Sequence, residues 1–151
     1  MTTSGEIIGL FLTKEVPRGL SVGEAVARVK DQGGLVGVPH PFDRLRLSAL
    51  KDKALESLLT DIDFIEVFNS RTIMLRDSAR AQHLAQRHGI PASAGSDAHI
   101  PSEVGRAYVE MPEFNGQDGF LQSLMQGRVF GHRSTPLVHF ATIWARLRSR
   151  F

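Results

Sequence analysis

The chain has 151 residues, of which 42% are hydrophobic and 23% are charged, values that fit one ordinary globular domain with a sizeable core. Since it has no cysteine, disulfides and thiolate metal sites are excluded, and no apolar stretch reaches the roughly 18–20 residues of a membrane span. The formal charge of +2 is too small to indicate a nucleic-acid partner by itself. The N-terminus lacks the charged-then-apolar order of a signal peptide, so we expect a cytoplasmic protein without membrane attachment.

The first half of the chain alternates apolar runs of strand length with amphipathic segments of helix length. Strands are predicted at 5–12, 35–38 and 64–68, and helices at 21–30, 48–59 and 74–88. Ser21 and Glu24 have the spacing of a capping box, which marks the start of the first helix, and Gly33 with Gly34 ends it. This alternation predicts an α/β protein with mostly parallel strands and flanking helices.

The second half is predicted to continue with shorter elements. The pattern indicates strands at 90–95, 106–111 and 128–131, and helices at 119–126 and 137–148. The last helix carries apolar residues at helical spacing, which is typical of a side that faces a core: Leu137, Phe140, Ile143, Trp144 and Leu147. We therefore expect a single domain over residues 1–151, in which residues 112–151 form a C-terminal helical extension.

Polar residues with chemical potential follow three of the predicted strands. His40, Asn69 and Asp97 close successive strands and lie 29 and 28 residues apart, which is about the length of one βαβ unit. In parallel α/β architectures, functional sites form at the carboxyl ends of the strands. The spacing therefore predicts that these side chains meet at one edge of the sheet.

Two further features concern possible metal ligands. Residues i and i+2 of an extended strand point to the same face, so Asp97 and His99 could reach a common metal ion. The alternative is that Asp97 merely ends a strand and caps a turn. Glu6 lies inside a predicted apolar strand, where a carboxylate is costly unless it is paired or binds a metal.

Four short motifs occur in the order that is seen in a known family: Gly5-Glu6-Ile7, Val38-Pro39-His40-Pro41, Ile65-Glu66-Val67-Phe68-Asn69 and Gly95-Ser96-Asp97-Ala98-His99. Together with residues 102–108 they resemble the PHP (polymerase and histidinol phosphatase) phosphoesterases over about residues 5–111. The resemblance implies a distorted (β/α)7 barrel with two or three Mn, Zn or Fe ions at the strand ends, where bound metal activates a water for attack on a phosphoester.

The resemblance also implies roles for individual residues. Metal ligation is implied for four of them: Glu6, His40, Asp97 and His99. Asp97 and His99 form the expected catalytic pair. Glu66 and Asn69 are expected to line the site, and the guanidinium groups of Arg71 and Arg106 are expected to contact a substrate phosphate.

The chain departs from the family pattern at its beginning. No His-x-His motif occurs, and no histidine precedes His40, so we expect an incomplete barrel that lacks its first strands and about half of the ligands. Three interpretations are open: a truncated or late-started chain, a short protein that obtains the missing part from a partner or a second copy, or a remnant without turnover. A missing strand exposes a sheet edge, which predicts self-association.

The leading functional prediction is a metal-dependent phosphoesterase that acts on a phosphomonoester or a nucleotide-like substrate. The alternative is an inactive PHP-like remnant that serves as a binding or assembly module. Nucleic acid is expected only as a substrate. A third hypothesis, DNA binding through the arginines near the C-terminus, competes with the simpler interpretation of a solvated end.

Overall fold

A computed structural model describes residues 1–135, which form six strands, four α-helices and one 3-10 turn. The strands are β1 (Ile8–Leu10), β2 (Leu35–Val38), β3 (Phe64–Asn69), β4 (Ala92–Gly95), β5 (Ala107–Glu110) and β6 (Arg128–Gly131). The helices are α1 (Val22–Lys30), α2 (Asp52–Ser57), α3 (Leu75–His88) and α4 (Gly116–Met125), with the 3-10 turn at Pro101–Glu103. The helix predicted at 137–148 lies outside the described residues.

The first four strands form one sheet in the order β1-β2-β3-β4, and β5 pairs with β6 in a separate antiparallel pair. The pairs β2–β3 and β3–β4 are parallel, as the sequence predicts for an α/β protein. Within residues 1–135 the sheet has two edges, β1 and β4, and no closed barrel is present. The incomplete barrel therefore stays a prediction.

The prediction that successive strands run parallel is wrong for β1. This strand is antiparallel to β2, with Ile8 opposite Gly37, and it is shorter than predicted. Glu6 lies in the segment before β1, where its N–H donates to the Ser48 carbonyl at 2.8 Å. Because antiparallel neighbours run in opposite directions, the beginning of β1 lies beside the end of β2. Glu6 thus lies near His40, at the end of the sheet where β2 finishes. The sequence suggested the same proximity, but from a parallel arrangement of the strands.

The helices follow the predictions closely except for α2. The capping box of α1 is confirmed: the Glu24 N–H donates to Ser21 Oγ at 3.3 Å, and the Ser21 N–H donates to Glu24 Oε2 at 2.9 Å. Gly89 ends α3 in the left-handed conformation, with φ 64°. The helix α2 begins only at Asp52, because the Lys51 N–H is taken by the Ser4 carbonyl at 3.0 Å.

The main core lies between the central strands and the helices on them. Val36, Val38 and Ile65 are fully buried, and they pack with Val29 of α1 and Ala81 of α3. Apolar burial on this scale stabilises the fold and fixes the positions at which β2 and β3 end. No helix within residues 1–135 is long and apolar enough to cross a membrane.

Candidate active site

A cleft of about 350 Å³ opens beside the beginning of β1 and the carboxyl ends of β2, β3 and β4. Nine residues line it: Met1, Glu6, Ile7, Ile8, Pro39, His40, Glu66, Asn69 and Asp97. Five of these belong to the site residues that the sequence predicts, namely Glu6, His40, Glu66, Asn69 and Asp97. The structure thus brings these five together, whereas His99, Arg71 and Arg106 do not line the cleft.

His40 contributes a buried imidazole to the cleft, with 6% of its surface exposed. Its Nε2 lies 3.3 Å from Glu6 Oε2, and its Nδ1 is buried without a hydrogen-bond partner. Burial, followed by the positive charge of Arg46, lowers the pKa of His40 and outweighs the opposite influence of Glu6 and Asp97. A lowered pKa favours the neutral imidazole, which is the form in which histidine binds cations.

Glu66 carries the buried carboxylate that holds His40 in place. Its Oε2 accepts hydrogen bonds from the His40 N–H at 2.6 Å and from Asn69 Nδ2 at 3.0 Å. Burial raises the pKa of Glu66, although both hydrogen bonds act to lower it. A Cβ atom at Gly95 would lie only 1.9 Å from Glu66 Oε1, so the glycine leaves the space that the carboxylate fills.

A register irregularity in β3 explains how Glu66 and Asn69 meet. Residues three apart in a regular strand point to opposite faces. The pairing of β3 with β4 shifts between Glu66 and Phe68, and such an irregularity re-aims the side chains that follow it. The sequence alone gives no signal for this shift.

Asp97 is bound by a cationic side chain that the sequence analysis did not single out. Arg46 Nη1 contacts Asp97 Oδ2, and Arg46 Nε lies 3.5 Å from Asp43 Oδ2. Asp43 is buried and accepts a hydrogen bond from Thr72 Oγ1 at 3.1 Å. In the sequence, this ion pair is indicated only by the i,i+3 spacing of Asp43 and Arg46, a spacing that is common among exposed residues of any protein.

The pairing of Asp97 and His99 differs from the sequence argument. The strand β4 ends at Gly95, and Asp97 has φ 51°, so the two residues do not lie on an extended strand. His99 Nδ1 instead donates a hydrogen bond to the Asp97 carbonyl at 2.8 Å, and about a third of the His99 side chain is exposed. The ligand role of His99 therefore stays a prediction.

The two arginines assigned to a substrate phosphate have other partners. Arg71 is buried, and its Nη1 lies 3.2 Å from Glu103 Oε2. Arg106 Nε donates to the Ser102 carbonyl at 3.1 Å. Their contact with a phosphate also stays a prediction.

Glu103 is a fully buried carboxylate that the sequence analysis missed. Besides Arg71, it accepts hydrogen bonds from the His99 N–H at 3.0 Å and from Ser134 Oγ at 3.2 Å. Burial acts to raise the pKa of Glu103, but these donors and the Arg71 charge outweigh it, so the pKa lies below its ordinary value. Glu103 thereby connects the segments after three strands.

The donors of the cleft suit a divalent metal in type but not in arrangement. Imidazole and carboxylate groups are ligands for Mn and Zn. Among residues 1–135, however, no group of three or more such side chains is placed to hold an ion. Glu6 faces His40, whereas Asp97 faces Arg46. These residues alone do not form a complete ligand set.

Comparison with known proteins gives sequence matches to a family model and to curated relatives. Residues 76–129 match the family model PHP_C, which is described as PHP-associated. The uncharacterized protein MJ0417 of Methanocaldococcus jannaschii is 44% identical over 117 residues, which are 76% of this chain and 49% of that relative.

Several solved structures are similar in fold, among them the following two. The first, a proposed metal-dependent phosphoesterase from Bifidobacterium adolescentis, is 26% identical with a TM-score of 0.50, over 76% of this chain and 39% of that one. The second is a two-domain protein from Bacteroides vulgatus that contains a predicted PHP-like metal-dependent phosphoesterase. It is 17% identical with a TM-score of 0.60, over 83% of this chain and 40% of that one, and supports the fold alone. This chain thus spans less than half the length of MJ0417 and of either structure.

Proposed function

Because residues 76–129 match the PHP-associated family model and a structurally similar protein is named as a metal-dependent phosphoesterase, we propose that this chain takes part in hydrolysing a phosphomonoester or a nucleotide-like phosphoester. The protein from Bifidobacterium adolescentis is named as metal-dependent, which supports a divalent cation as the cofactor without specifying which one.

The cleft beside His40 is the observation that carries the proposal. Glu6, His40 and Asp97 come from three separate segments of the chain, yet all three line the same cleft. A neutral imidazole can bind a cation, and carboxylates can balance the charge of that cation. Glu66 holds the backbone of His40 and is therefore proposed as a positioning residue.

Three donors are too few for a site with two or three metal ions. We propose that further ligands join Glu6, His40 and Asp97 from outside residues 1–135. They could come from a second copy of the chain. They could also come from a segment like the unmatched half of MJ0417, which is about twice as long as the matched region. We expect the chain on its own to bind a cation at this cleft, and we expect full activity only when the further ligands are supplied.

Binding of Mn²⁺, measured by isothermal titration calorimetry, tests the proposed site. We expect His40→Ala to weaken Mn²⁺ binding about 10- to 100-fold, since loss of a metal-site residue typically has effects of this size. His83→Ala is the matched control, because His83 is exposed on α3 and does not line the cleft. Equal binding by the two variants, or wild-type binding no tighter than millimolar, would contradict the proposal for this chain.

Turnover of p-nitrophenyl phosphate in the presence of Mn²⁺ is the second measurement. Any turnover by the chain should be lost in Asp97→Ala and kept in His83→Ala. If Asp97→Ala leaves turnover unchanged, the activity comes from a contaminant or from another site, and the catalytic proposal fails.

One observation favours a second candidate function, a binding or assembly module. The strand β1 is an outer strand of the four-stranded sheet in the described part of the chain. An outer strand presents unpaired backbone N–H and C=O groups that can pair with another chain. Self-association without Mn²⁺ binding would favour this function over the catalytic one.

A further inference from the structure

A groove that the proposed function does not use runs along α3, and we call it the α3 groove. Its volume is about 810 Å³, more than twice that of the cleft beside His40. It is lined by one side of α3, by the end of α4 with the start of β6, and by parts of β3 and β4. Much of this lining is apolar, and its larger residues are Phe68, Leu75, Ile90, Leu124, Met125 and Val129.

Two large apolar side chains of the α3 groove are exposed to solvent. Leu75, the first residue of α3, is 73% exposed, and Met125, the last residue of α4, is 69% exposed. Single exposed apolar residues are common on proteins, but a continuous apolar surface marks a place where another group binds. The two residues and the apolar lining between them form such a surface.

The connection that follows β4 explains why the groove is open. In a parallel α/β structure, a helix normally follows each strand and covers the sheet. The helix α3 follows β3 in this way, but β4 is followed only by the 3-10 turn Pro101–Glu103 before β5 begins. Within residues 1–135, the sheet beside α3 therefore lacks the helix that the connection after β4 would ordinarily supply.

The chain reaches one end of the α3 groove after β6. The Ser134 N–H donates to the Ser70 carbonyl at 2.7 Å, and Arg133 Nη2 donates to Ser78 Oγ at 3.2 Å. The Arg133 guanidinium also lies 5.7 Å from the centre of the Phe68 ring. Because Ser78 and Phe68 both line the groove, the chain arrives at its entrance near the start of α3.

The segment that follows has a suitable length and pattern to fill the groove. Residues 136–151 lie outside the described residues, and the sequence predicts a helix at 137–148. At 1.5 Å per residue, twelve helical residues span about 18 Å, and the 14 residues of α3 span about 21 Å. One side of the predicted helix is apolar and carries Leu137, Phe140, Ile143, Trp144 and Leu147.

We propose that residues 137–148 form a helix that docks in the α3 groove of the same chain. The helix enters at the start of α3 and runs parallel to it, because a chain that leaves a strand returns along the sheet, as α3 does after β3. Docking also holds Ser134 in place, whose Oγ donates to Glu103 at 3.2 Å, and Glu103 in turn accepts the His99 N–H. None of these contacts needs a bound cation.

The fluorescence of Trp144 tests the docking in the full chain. Trp144 is the only tryptophan of the sequence, so its emission reports on this segment without any label. We expect emission at shorter wavelength than in the urea-unfolded protein, and severalfold weaker quenching by acrylamide, because a docked Trp144 is shielded from water.

Met125→Lys should undo this protection. The substitution places a charge in the apolar groove, where it is costly, and close to the end of the docked helix that carries Arg146 and Arg148. Emission should move to longer wavelength, and quenching should rise severalfold. A lysine at the end of α4 suits the helix dipole, so the fold should tolerate it.

Leu47→Lys is the matched control, since Leu47 is fully exposed and does not line the groove. A second pair changes the segment itself. Phe140→Asp lies on the apolar side of the predicted helix and should act like Met125→Lys, whereas Thr142→Asp lies on the opposite side and should not. Circular dichroism establishes that each variant is folded, and Phe140→Asp decides the test if Met125→Lys is not.

Each outcome bears on the proposal. Protection of Trp144 in the wild type and both controls, lost in Met125→Lys and Phe140→Asp and independent of protein concentration, supports it. Quenching of wild-type Trp144 as strong as in the unfolded chain overturns it. Protection that a folded Met125→Lys protein retains means that the segment packs elsewhere, and this also overturns the proposal. Protection that disappears on dilution assigns the groove to the segment of a second copy and overturns docking within one chain.

Discussion

At the scale of single residues, the site depends on backbone conformations that the side chains do not favour. His40 has φ 30° and Asp97 has φ 51°, although neither is glycine. Such conformations cost on the order of 1–3 kcal/mol each, and they persist only where the surroundings hold them. The backbone conformation of His40 is stabilised by the Glu66 carboxylate, which accepts a hydrogen bond from the His40 N–H. This strain is consistent with a functional cleft.

Gly95→Ala should disturb the cleft through Glu66. The added Cβ would meet Glu66 Oε1 at 1.9 Å, so the carboxylate must move and its hydrogen bonds must weaken. We expect a loss of about 1–3 kcal/mol in the free energy of unfolding, which is usual for overpacking. Urea denaturation measures the change.

Gly23→Ala is the matched control for this substitution. A Cβ at Gly23 meets nothing within 4 Å, and alanine favours the helix α1 in which Gly23 lies. The control should therefore be neutral or stabilising. A Gly95→Ala protein as stable as wild type would mean that Glu66 has room to move.

At the scale of elements, the helices differ in how far their own residues specify them. The helix α1 has a complete capping box and buries Ala25, Val26 and Val29 along one side. The helix α2 has six residues, and its N-cap Lys51 makes no side-chain hydrogen bond to the helix. Local signals therefore place α1 accurately, whereas the start of α2 depends on contacts with residues far away in the sequence.

Ser21→Ala should destabilise the protein by about 1 kcal/mol, the usual effect of losing an N-cap side chain. Its hydroxyl accepts the Glu24 N–H, which otherwise has no partner in the first turn. Asn115→Ala is the comparison, since Asn115 occupies the N-cap position of α4 without a side-chain hydrogen bond. Equal losses in thermal denaturation experiments on the two variants would show that the capping box of α1 is not a stabilising feature.

At the scale of the whole molecule, Glu103 joins parts that lie far apart in the sequence. Its carboxylate contacts Arg71 after β3, His99 after β4 and Ser134 after β6. The four-stranded sheet and the β5–β6 pair are thus linked at one fully buried group. The protonation of Glu103 should consequently affect the stability of the complete domain.

The free energy of unfolding should fall in acid partly because of Glu103. Its pKa lies below the ordinary value of 4.5, so its contribution is complete above pH 4.5 and is lost as the pH falls through the pKa of the folded state. We expect Glu103→Gln to be less stable than wild type near pH 7, with a difference that shrinks below pH 4.5. Urea denaturation across this pH range tests it.

Glu66 provides the opposite sign as a comparison. Its pKa lies above the ordinary value of 4.5, so its contribution is complete below pH 4.5 and is lost as the pH rises through the folded-state pKa. Relative to wild type, Glu66→Gln should therefore gain stability as the pH rises in this range. The same trend with pH for both variants would contradict at least one of the two assignments.

Self-association is also expected at this scale. The strand β1 is an outer strand in the part of the chain that the structure describes, so a second copy could pair with it. Analytical ultracentrifugation should show an average mass that rises with protein concentration. The amide hydrogens of β1 should exchange more slowly as the protein concentration rises. Amides of the interior strand β2 serve as the internal reference. A monomer at every concentration would contradict the prediction.

The sequence by itself determined most of the elements and the candidate residues. Apolar periodicity and caps, such as Ser21 with Glu24 and the terminal Gly89, are local signals. The order of motifs indicated a resemblance to PHP proteins, which the match of residues 76–129 to a PHP-associated family model supports. Spacing also placed His40, Asn69 and Asp97 at strand ends near one cleft.

Only the tertiary structure decided the direction of β1, the register shift in β3 and the partner of Asp97. Each of these depends on residues that are distant in the sequence: Ile8 lies opposite Gly37, and Arg46 contacts Asp97. The direction of a strand and the partner of a charged side chain depend on the free energy of the whole fold. A local sequence pattern does not specify them, because they depend on which segments pack against each other.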